Sequence, residues 1–595
     1  MSERAQQVLQ EVFGFATFRE GQRKVIEAIL KGESHICVMP TGGGKSLCYQ
    51  VPALVLEGTT LVISPLISLM KDQVDALHQL DVKAAYINST LADEEYRNIL
   101  YLAERGEYDL LYIAPERLQS ASFLRVLERM TISFIAIDEA HCISEWGHDF
   151  RPSYRNIHTI FEHFETRPPV LALTATATPE VRTDISRALD VPERQLTLTG
   201  FARDNLTFGV VKGVARDTYV KSYVQKNVTE AGIIYTATRK AADALTAMLD
   251  RAHIDVAKYH GGMTDEERER AQEQFLNDEV AVMVATNAFG MGIDKSNIRY
   301  VIHYQMPASM ESYYQEAGRA GRDGLPSECL LLFSSQDVMT QRFIIEQGTD
   351  TERMPMELEK LQQMIDYCHT EQCFQSYILT YFGEEEADSC GRCYNCTDTR
   401  ERIDVTVEAQ KVLSCIVRMG QRFGKTLVAQ VLTGSRNRKV LEFQFEKLST
   451  YGLLKGHSIK EVTAFIEFLI AEGCIGVENG QFPILYVTEI GRTVLTGEQQ
   501  ILKKETKRVE QIVETDELFE QLRVLRRTIA DREEVPPFVV FSDKTLKEMV
   551  HLRPQTDDEL LQVSGVGQVK LEKYGTEFLQ CICRYVEEEE KERVR

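Results

Sequence analysis

Along the first 340 residues, short apolar runs alternate with longer stretches whose apolar positions recur every three to four residues. SHICVMP, TTLVISP, YDLLYIAP, ISFIAIDEA and PVLALTAT are apolar almost throughout and end at polar turns. That pattern predicts strands buried on both faces, as in a parallel sheet. AGIIYTATR, VAKYHG, AVMVATNAF, YVIHYQMP and CLLLFSS then repeat the rhythm. Two successive strand-then-helix series predict two α/β domains with a seam near residues 199–206. This duplication is the only internal repetition.

From about residue 350 the pattern turns helical and then cysteine-rich. Residues 405–500 read as short helices with late strands (FPILYVTEIG), and 501–515 as a charged linker or solvated helix. The last 80 residues read as helical, broken by VPPF and SGVG. A chain of 595 residues exceeds what one hydrophobic core supports, so several domains are expected. No run of about 18 apolar residues predicts a membrane span. The polar, amphipathic start MSERAQQVLQEVFGF has no secretory core, and a cytoplasmic location is expected. There the cysteines read as buried thiols, as at Cys37, Cys142 and Cys329, and not as disulfides.

A formal net charge of −22 argues against a polyanionic partner, but the sum hides a local inversion. Residues 411–460 carry ten Lys/Arg against two Asp/Glu, a one-sided stretch that predicts an anion-binding surface.

The candidate chemistry begins where strand 35–39 runs into Pro40-Thr41-Gly42-Gly43-Gly44-Lys45-Ser46 and a helical pattern. Glycines let backbone N–H groups turn inward around phosphate oxygens, and the helix start adds partial positive charge. Lys45 is placed to reach the β- and γ-phosphates and Ser46 to ligate Mg²⁺. The strict P-loop pattern requires glycine where this chain has Met39, a departure that matches the tighter loop of helicases. Strand 132–137 ends in Asp138-Glu139-Ala140-His141. Asp138 is assigned to Mg²⁺ through water, and Glu139 to the attacking water. In the second series, Gln315–Arg322 carries Arg319 and Arg322, which share one face if helical. Either supplies an arginine finger, whose position on the other lobe makes hydrolysis depend on lobe closure.

These residues resemble superfamily 2 helicases and, within them, the RecQ family. PTGGGKSLCYQ, DEAH, LTATAT (173–178), VATNAFGMGIDK (284–295) and QEAGRAGRDG (315–324) are similar to its motifs, in family order. EVFGFATFREGQ (11–22) looks like motif 0. That resemblance implies Gln22 on the adenine edge, Phe15 and Arg19 on the ring, and ATP as nucleotide. CISEWGHDFRPSY (142–154) looks like the aromatic-rich loop that couples single-strand binding to hydrolysis. It holds Trp146, the chain's one tryptophan, with Phe150 and Arg151. Aromatic faces stack on bases and arginine meets phosphate, and the polar neighbours predict an exposed loop.

Four thiolates at the spacing Cys373-x16-Cys390-x2-Cys393-x2-Cys396 suit one tetrahedral Zn²⁺ with a purely structural role. Cys368 competes for the first position, and the resemblance favours Cys373. The basic stretch resembles the RecQ winged helix, with Arg436, Arg438 and Lys439 expected on DNA phosphates. Residues 516–585 look like the HRDC domain, with SGVG aimed at a phosphate and Lys570 assisting.

The expected architecture is multidomain α/β. It comprises two RecA-like lobes (1–205 and 206–340), a zinc-binding helical module (341–402) and a winged helix (403–500). A linker (501–515), an all-helical HRDC domain (516–588) and a charged tail (589–595) follow. The resemblance implies a bacterial, monomeric, nucleoid-associated ATP-dependent DNA helicase of 3′→5′ polarity. It would act in recombination, repair and fork maintenance on single strands and duplex junctions, alongside a single-stranded-DNA-binding protein. An RNA remodeller and a junction binder that uses ATP only as a switch are the alternatives.

Overall fold

The continuous apolar runs form fully buried strands, and their burial on both faces forces helices onto each side of the sheets. The structure, a computed structural model, describes residues 1–147, 149–290, 295–349, 351–384, 388–478, 483–504, 517–533 and 535–593. The first lobe contains β1 (His35–Val38), β2 (Thr59–Ile63), β3 (Ala84–Ile87), β4 (Leu110–Ile113), β5 (Ile132–Ile137), β6 (Val170–Thr174) and β7 (Leu196–Leu198). They lie parallel in the order β3-β4-β2-β5-β6-β1-β7. The second lobe contains β8 (Leu206–Lys212), β9 (Ala231–Tyr235), β10 (Val256–Tyr259), β11 (Val282–Ala285), β12 (Ile298–His303) and β13 (Ser327–Phe333). Its parallel order is β10-β11-β9-β12-β13-β8. The chain leaves one sheet after β7 and enters the other at β8, so the predicted seam at 199–206 is the crossover between lobes. β1 and β5 flank β6, which brings the loops after them to one end of the sheet.

Three helices, Ser335–Gly348, Met354–His369 and Phe374–Tyr381, lead to the cysteine knuckle. This module is wedged against both lobes at the seam. Phe382 stacks on Phe201 with centroids 4.4 Å apart, and Phe201 meets Tyr314 edge-on at 6.0 Å. Arg182 of the first lobe donates to the Phe382 carbonyl at 2.6 Å. On the second lobe, Gly209 in β8 leaves the space that the Tyr394 ring fills, and an added Cβ would sit 2.7 Å from that ring.

The winged helix packs its own core beneath helices Thr406–Arg418, Lys425–Leu432, Arg438–Glu442 and Ile459–Ala471. Short strands β14 (Arg402–Asp404), β15 (Ile475–Glu478), β16 (Ile484–Val487) and β17 (Leu502–Lys504) complete it. β17 departs from the expected linker at 501–515. It pairs antiparallel with β14, Ile501 is buried beside it, and Lys504 donates to the Asn395 carbonyl at 2.6 Å. The rest of that expected linker, 505–515, lies outside the described residues. The final domain is helical throughout, and its last helix, Thr576–Arg593, runs through most of what composition marks as a tail. Lys570 departs from its expected role. Its ammonium donates to the Val539 carbonyl at 2.7 Å and lies over the Phe541 ring, and burial lowers its pKa to about 8.

This domain docks on the second lobe through charges. Arg526, fully buried, donates to Asp543 at 2.6 Å and to the Phe541 carbonyl at 2.9 Å, and faces Asp278 of the lobe at 3.6 Å. Lys295 holds the other Asp278 oxygen at 2.5 Å. Burial opposes the charge on Asp278, but Lys295 and Arg526 outweigh it and hold that carboxyl below the usual range. Removing one member of a buried ionic group leaves its partners uncompensated. Arg526→Met is therefore expected to destabilise the C-terminal domain by about 3–5 kcal/mol, read as an earlier urea transition. An unchanged midpoint would show the arginine to be dispensable.

Candidate active site and nucleic-acid interface

β1 ends at Val38, and the glycine loop leads to Ser46, which precedes the helix Leu47–Ala53. Gly44 has a φ of 81°, and a Cβ there would lie 2.5 Å from the Gln22 amide nitrogen. Gln22 donates to the Gly43 and Gly44 carbonyls at 3.2 and 3.0 Å and accepts from the Arg19 backbone at 2.7 Å. The Arg19 guanidinium donates to the Gly42 carbonyl. Two of the three residues expected around the adenine, Arg19 and Gln22, thus brace the carbonyl side of the loop. Phe15, half-exposed, lines the same cavity. Lys45 donates to the Met39 carbonyl at 3.3 Å.

The next wall follows β5. Glu139 has a φ of 48°, a left-handed conformation that costs a side-chain-bearing residue about 1–3 kcal/mol. The turn Ala140–Ile143 holds it there. Asp138 accepts from the Glu139 backbone at 3.0 Å, and the Tyr154 hydroxyl donates to the Asp138 carbonyl at 3.0 Å. Burial and then the Glu139 carboxylate push Asp138 up to about 7, against the pull of Lys45. Divalent magnesium suits this pair: its charge relieves the repulsion between two crowded carboxyls beside the P-loop hydroxyl of Ser46. His141 bonds Thr174 at 2.9 Å and lies 3.3 Å from Glu139, which ties the DEAH turn to the LTATAT strand end.

The third wall belongs to the second lobe. Helix Met310–Ala317 stops at Gly318, and Gly321 has a φ of 58°, so Arg319 and Arg322 lie in successive turns. A shared helical face, expected from their spacing, is not what brings them together; glycines break the helix first. Both nevertheless line the cavity of about 300 Å³ with Thr41, Gly42, Gly44, Lys45, Ser46, Asp138 and Glu139. Arg319 is buried beside Tyr235. Arg322 covers the P-loop so closely that a Cβ on Gly42 would lie 3.4 Å from its Cγ.

No motif or spacing singles out Arg203 in the seam. Its guanidinium donates to the Thr41 carbonyl at 2.7 Å, to Gly318 at 3.3 Å, and to Ala320 and Gly321 at 3.0 Å each. One half-buried side chain thereby joins the P-loop to the arginine turns. The only trace in the sequence is a polar triplet, Arg203-Asp204-Asn205, between Ala202 and Leu206.

The aromatic-rich loop leaves the DEAH turn. Trp146 is 46% exposed at its tip. Arg151, expected on phosphate, is engaged within the protein: it donates to Pro65 carbonyl at 2.9 Å and to Asp149 at 3.0 Å. In the winged helix, Arg436, Arg438 and Lys439 are exposed where Asn437 caps the short helix Arg438–Glu442.

The four sulfurs of Cys373, Cys390, Cys393 and Cys396 lie within 4.8 Å of one another. The recorded separations of 3.4, 3.8 and 3.9 Å bracket the edge of about 3.8 Å expected for a tetrahedron with Zn–S bonds of about 2.3 Å. Cys368 is buried elsewhere and is not in the group. Burial opposes the Cys373 thiolate, but N–H groups of Ser376 and Cys390 and the neighbouring sulfurs bring it down to about 7. Inside the knuckle, Arg392 donates to Asp204 at 2.7 Å and to the Arg203 carbonyl at 3.4 Å, which connects the cysteines to the lobe seam.

A raised Asp138 makes cation binding compete with a proton. MgATP affinity is expected to weaken as pH falls from about 8 to about 6, approaching about tenfold per pH unit below the Asp138 pKa. A fluorescent-nucleotide titration measures this, and Asp138→Asn should flatten the profile. A wild-type profile that is already flat would remove Asp138 from the role.

Comparison with known proteins agrees with this geometry. The DEAD/DEAH box helicase signature matches residues 19–185 and the helicase conserved C-terminal domain residues 215–324. RecQ zinc-binding covers 335–397, the RQC domain 399–511 and the HRDC domain 515–582. The ATP-dependent DNA helicase RecQ of Bacillus subtilis is 58% identical over 98% of this chain and 99% of its own length. The ATP-dependent DNA helicase RecQ of Haemophilus influenzae is 40% identical over 97% and 95%. The RecQ-like DNA helicase blm-1 of Caenorhabditis elegans is 32% identical over this whole chain and 67% of its own. With its two lobes, zinc module, winged helix and HRDC domain in this order, the chain belongs to the RecQ family.

Proposed function

We propose that the chain is an ATP-driven motor that unwinds duplex DNA, with 3′→5′ polarity as in its family. The observation that carries this reading is the cavity whose P-loop and carboxylate walls come from one lobe and whose arginine wall comes from the other. Lys45 and the loop glycines hold the phosphates of ATP. Asp138 and Ser46 hold Mg²⁺, which neutralises phosphate charge when bound. Glu139 orients the attacking water and accepts its proton. Arg319 or Arg322 meets the charge that develops on the transferred phosphoryl group. Phe15, Arg19 and Gln22 form the base end of the site. Because the arginines sit on the second lobe, hydrolysis is tied to the spacing between lobes.

Trp146 and Phe150 engage bases of a single strand, with Arg151 shaping their loop. Arg436, Arg438 and Lys439 hold the duplex beside the junction through its phosphates. Zn²⁺ in the four cysteines is structural, since all four positions are filled by protein sulfur. The acidic balance of the chain favours a monomer through self-repulsion, and the family resemblance, not the charge, supports work near the nucleoid alongside a single-stranded-DNA-binding protein.

The test is steady-state ATP hydrolysis with single-stranded DNA, single-stranded RNA or neither. DNA is expected to stimulate strongly and RNA weakly. Equal stimulation by RNA would favour an RNA remodeller, and no stimulation would break the link between the aromatic loop and the arginines. Lys45→Ala is expected to abolish hydrolysis and unwinding while DNA binding and the circular-dichroism spectrum persist.

A further inference from the structure

The aromatic loop is held at both ends. Its root is the DEAH turn, against which the tip folds back closely: a Cβ on Gly147 would sit 2.2 Å from the His141 carbonyl. At its tip, the Trp146 carbonyl accepts a 2.6 Å hydrogen bond from Lys360, and the Gly147 carbonyl accepts one from Arg353 at 3.4 Å. Arg353 also lies over the Phe150 ring, 5.1 Å from its centroid. Lys360 lies on helix Met354–His369, and Arg353 immediately precedes it.

Lys360 is 7% exposed, and burying an ammonium is costly unless its partners are fixed. Besides the Trp146 carbonyl it has Glu311 at 3.3 Å, itself 3% exposed and also bonded to Tyr381. Glu311 lies in the first turn of helix Met310–Ala317, whose far end runs into Gly318, Arg319 and Arg322. A single buried ammonium therefore touches the loop proposed to meet DNA and the helix that carries the arginine turns.

We infer that Lys360, with Glu311, is a positioning residue that transmits engagement of Trp146 to Arg319 and Arg322. Movement of the Trp146 carbonyl must either carry the ammonium with it or strip a buried charge of a partner. Either way the change reaches Glu311 and the rigid helix behind it. Lys360 touches neither nucleotide site nor strand; it acts through residues at each end. This deepens the proposed coupling between DNA and hydrolysis and rests on that reading.

Lys360→Met keeps the length and removes the charge. Its DNA-stimulated kcat is expected to fall at least about tenfold, within the range of ordinary coupling energies. KM for ATP and the affinity for an oligodeoxynucleotide should change less than about threefold. Lys360→Arg should recover part of the stimulation. Because Trp146 is the only tryptophan, its emission gives an independent readout. Coupling is reciprocal, so a non-hydrolysable ATP analogue should change that emission in wild type and not in Lys360→Met. Glu311→Gln, which preserves volume, should behave as Lys360→Met does, and decides the matter if the lysine variant does not fold. Wild-type stimulation by DNA with full stimulation in both variants would overturn the inference. So would a parallel loss of affinity and rate, which marks a structural role. Absence of stimulation in wild type would instead count against the proposed function.

Discussion

Much of this molecule is arranged around the guanidinium of Arg203. A carbonyl oxygen in a loop needs a donor, and glycine-rich turns expose many carbonyls with no strand or helix to satisfy them. The P-loop and the turns after Gly318 are two such segments on different lobes, and one planar donor group serves both. The lobes are thereby registered at the one place where their spacing matters chemically. The packing of Phe201 between Phe382 and Tyr314 steadies the segment that bears this arginine. Asn205, donating to Gly321 and Leu325 carbonyls, fixes its other side.

What the sequence made legible follows from the range of the forces involved. Strands buried on both faces announce themselves by continuous apolar runs, and the seam falls where two such series meet. The P-loop, the carboxylates after β5 and the four cysteines are local patterns, and the structure gathers each of them as its spacing implies. Tertiary contacts left little trace. Nothing near Lys360 or Arg203 signals a partner more than a hundred residues away. Lys570 reads as a phosphate-assisting cation until its ammonium is found on the Val539 carbonyl. Arg319 and Arg322 share a wall because glycines end their helix, where periodicity alone implied a common face. The Leu502–Lys504 strand was hidden because a short edge pair needs only backbone groups and one buried neighbour.

Charge is partitioned in the same way. A strongly acidic chain repels polyanions at long range, so contact with DNA depends on small surfaces where the sign reverses. The exposed cations around Asn437 are one place where the sign reverses, and they are the surface proposed to meet the duplex. An acidic body also limits loose binding along a duplex, because the unfavourable field returns within a Debye length of the basic patch.

The position of Arg392 has a consequence for durability. It sits between two of the cysteines that would share a metal, and its side chain reaches the backbone of Arg203. Oxidised or metal-stripped thiolates cannot keep that knuckle folded. Because Arg392 holds both Asp204 and the Arg203 carbonyl, loss of the fold around those cysteines would also remove two of the contacts that brace the lobe seam.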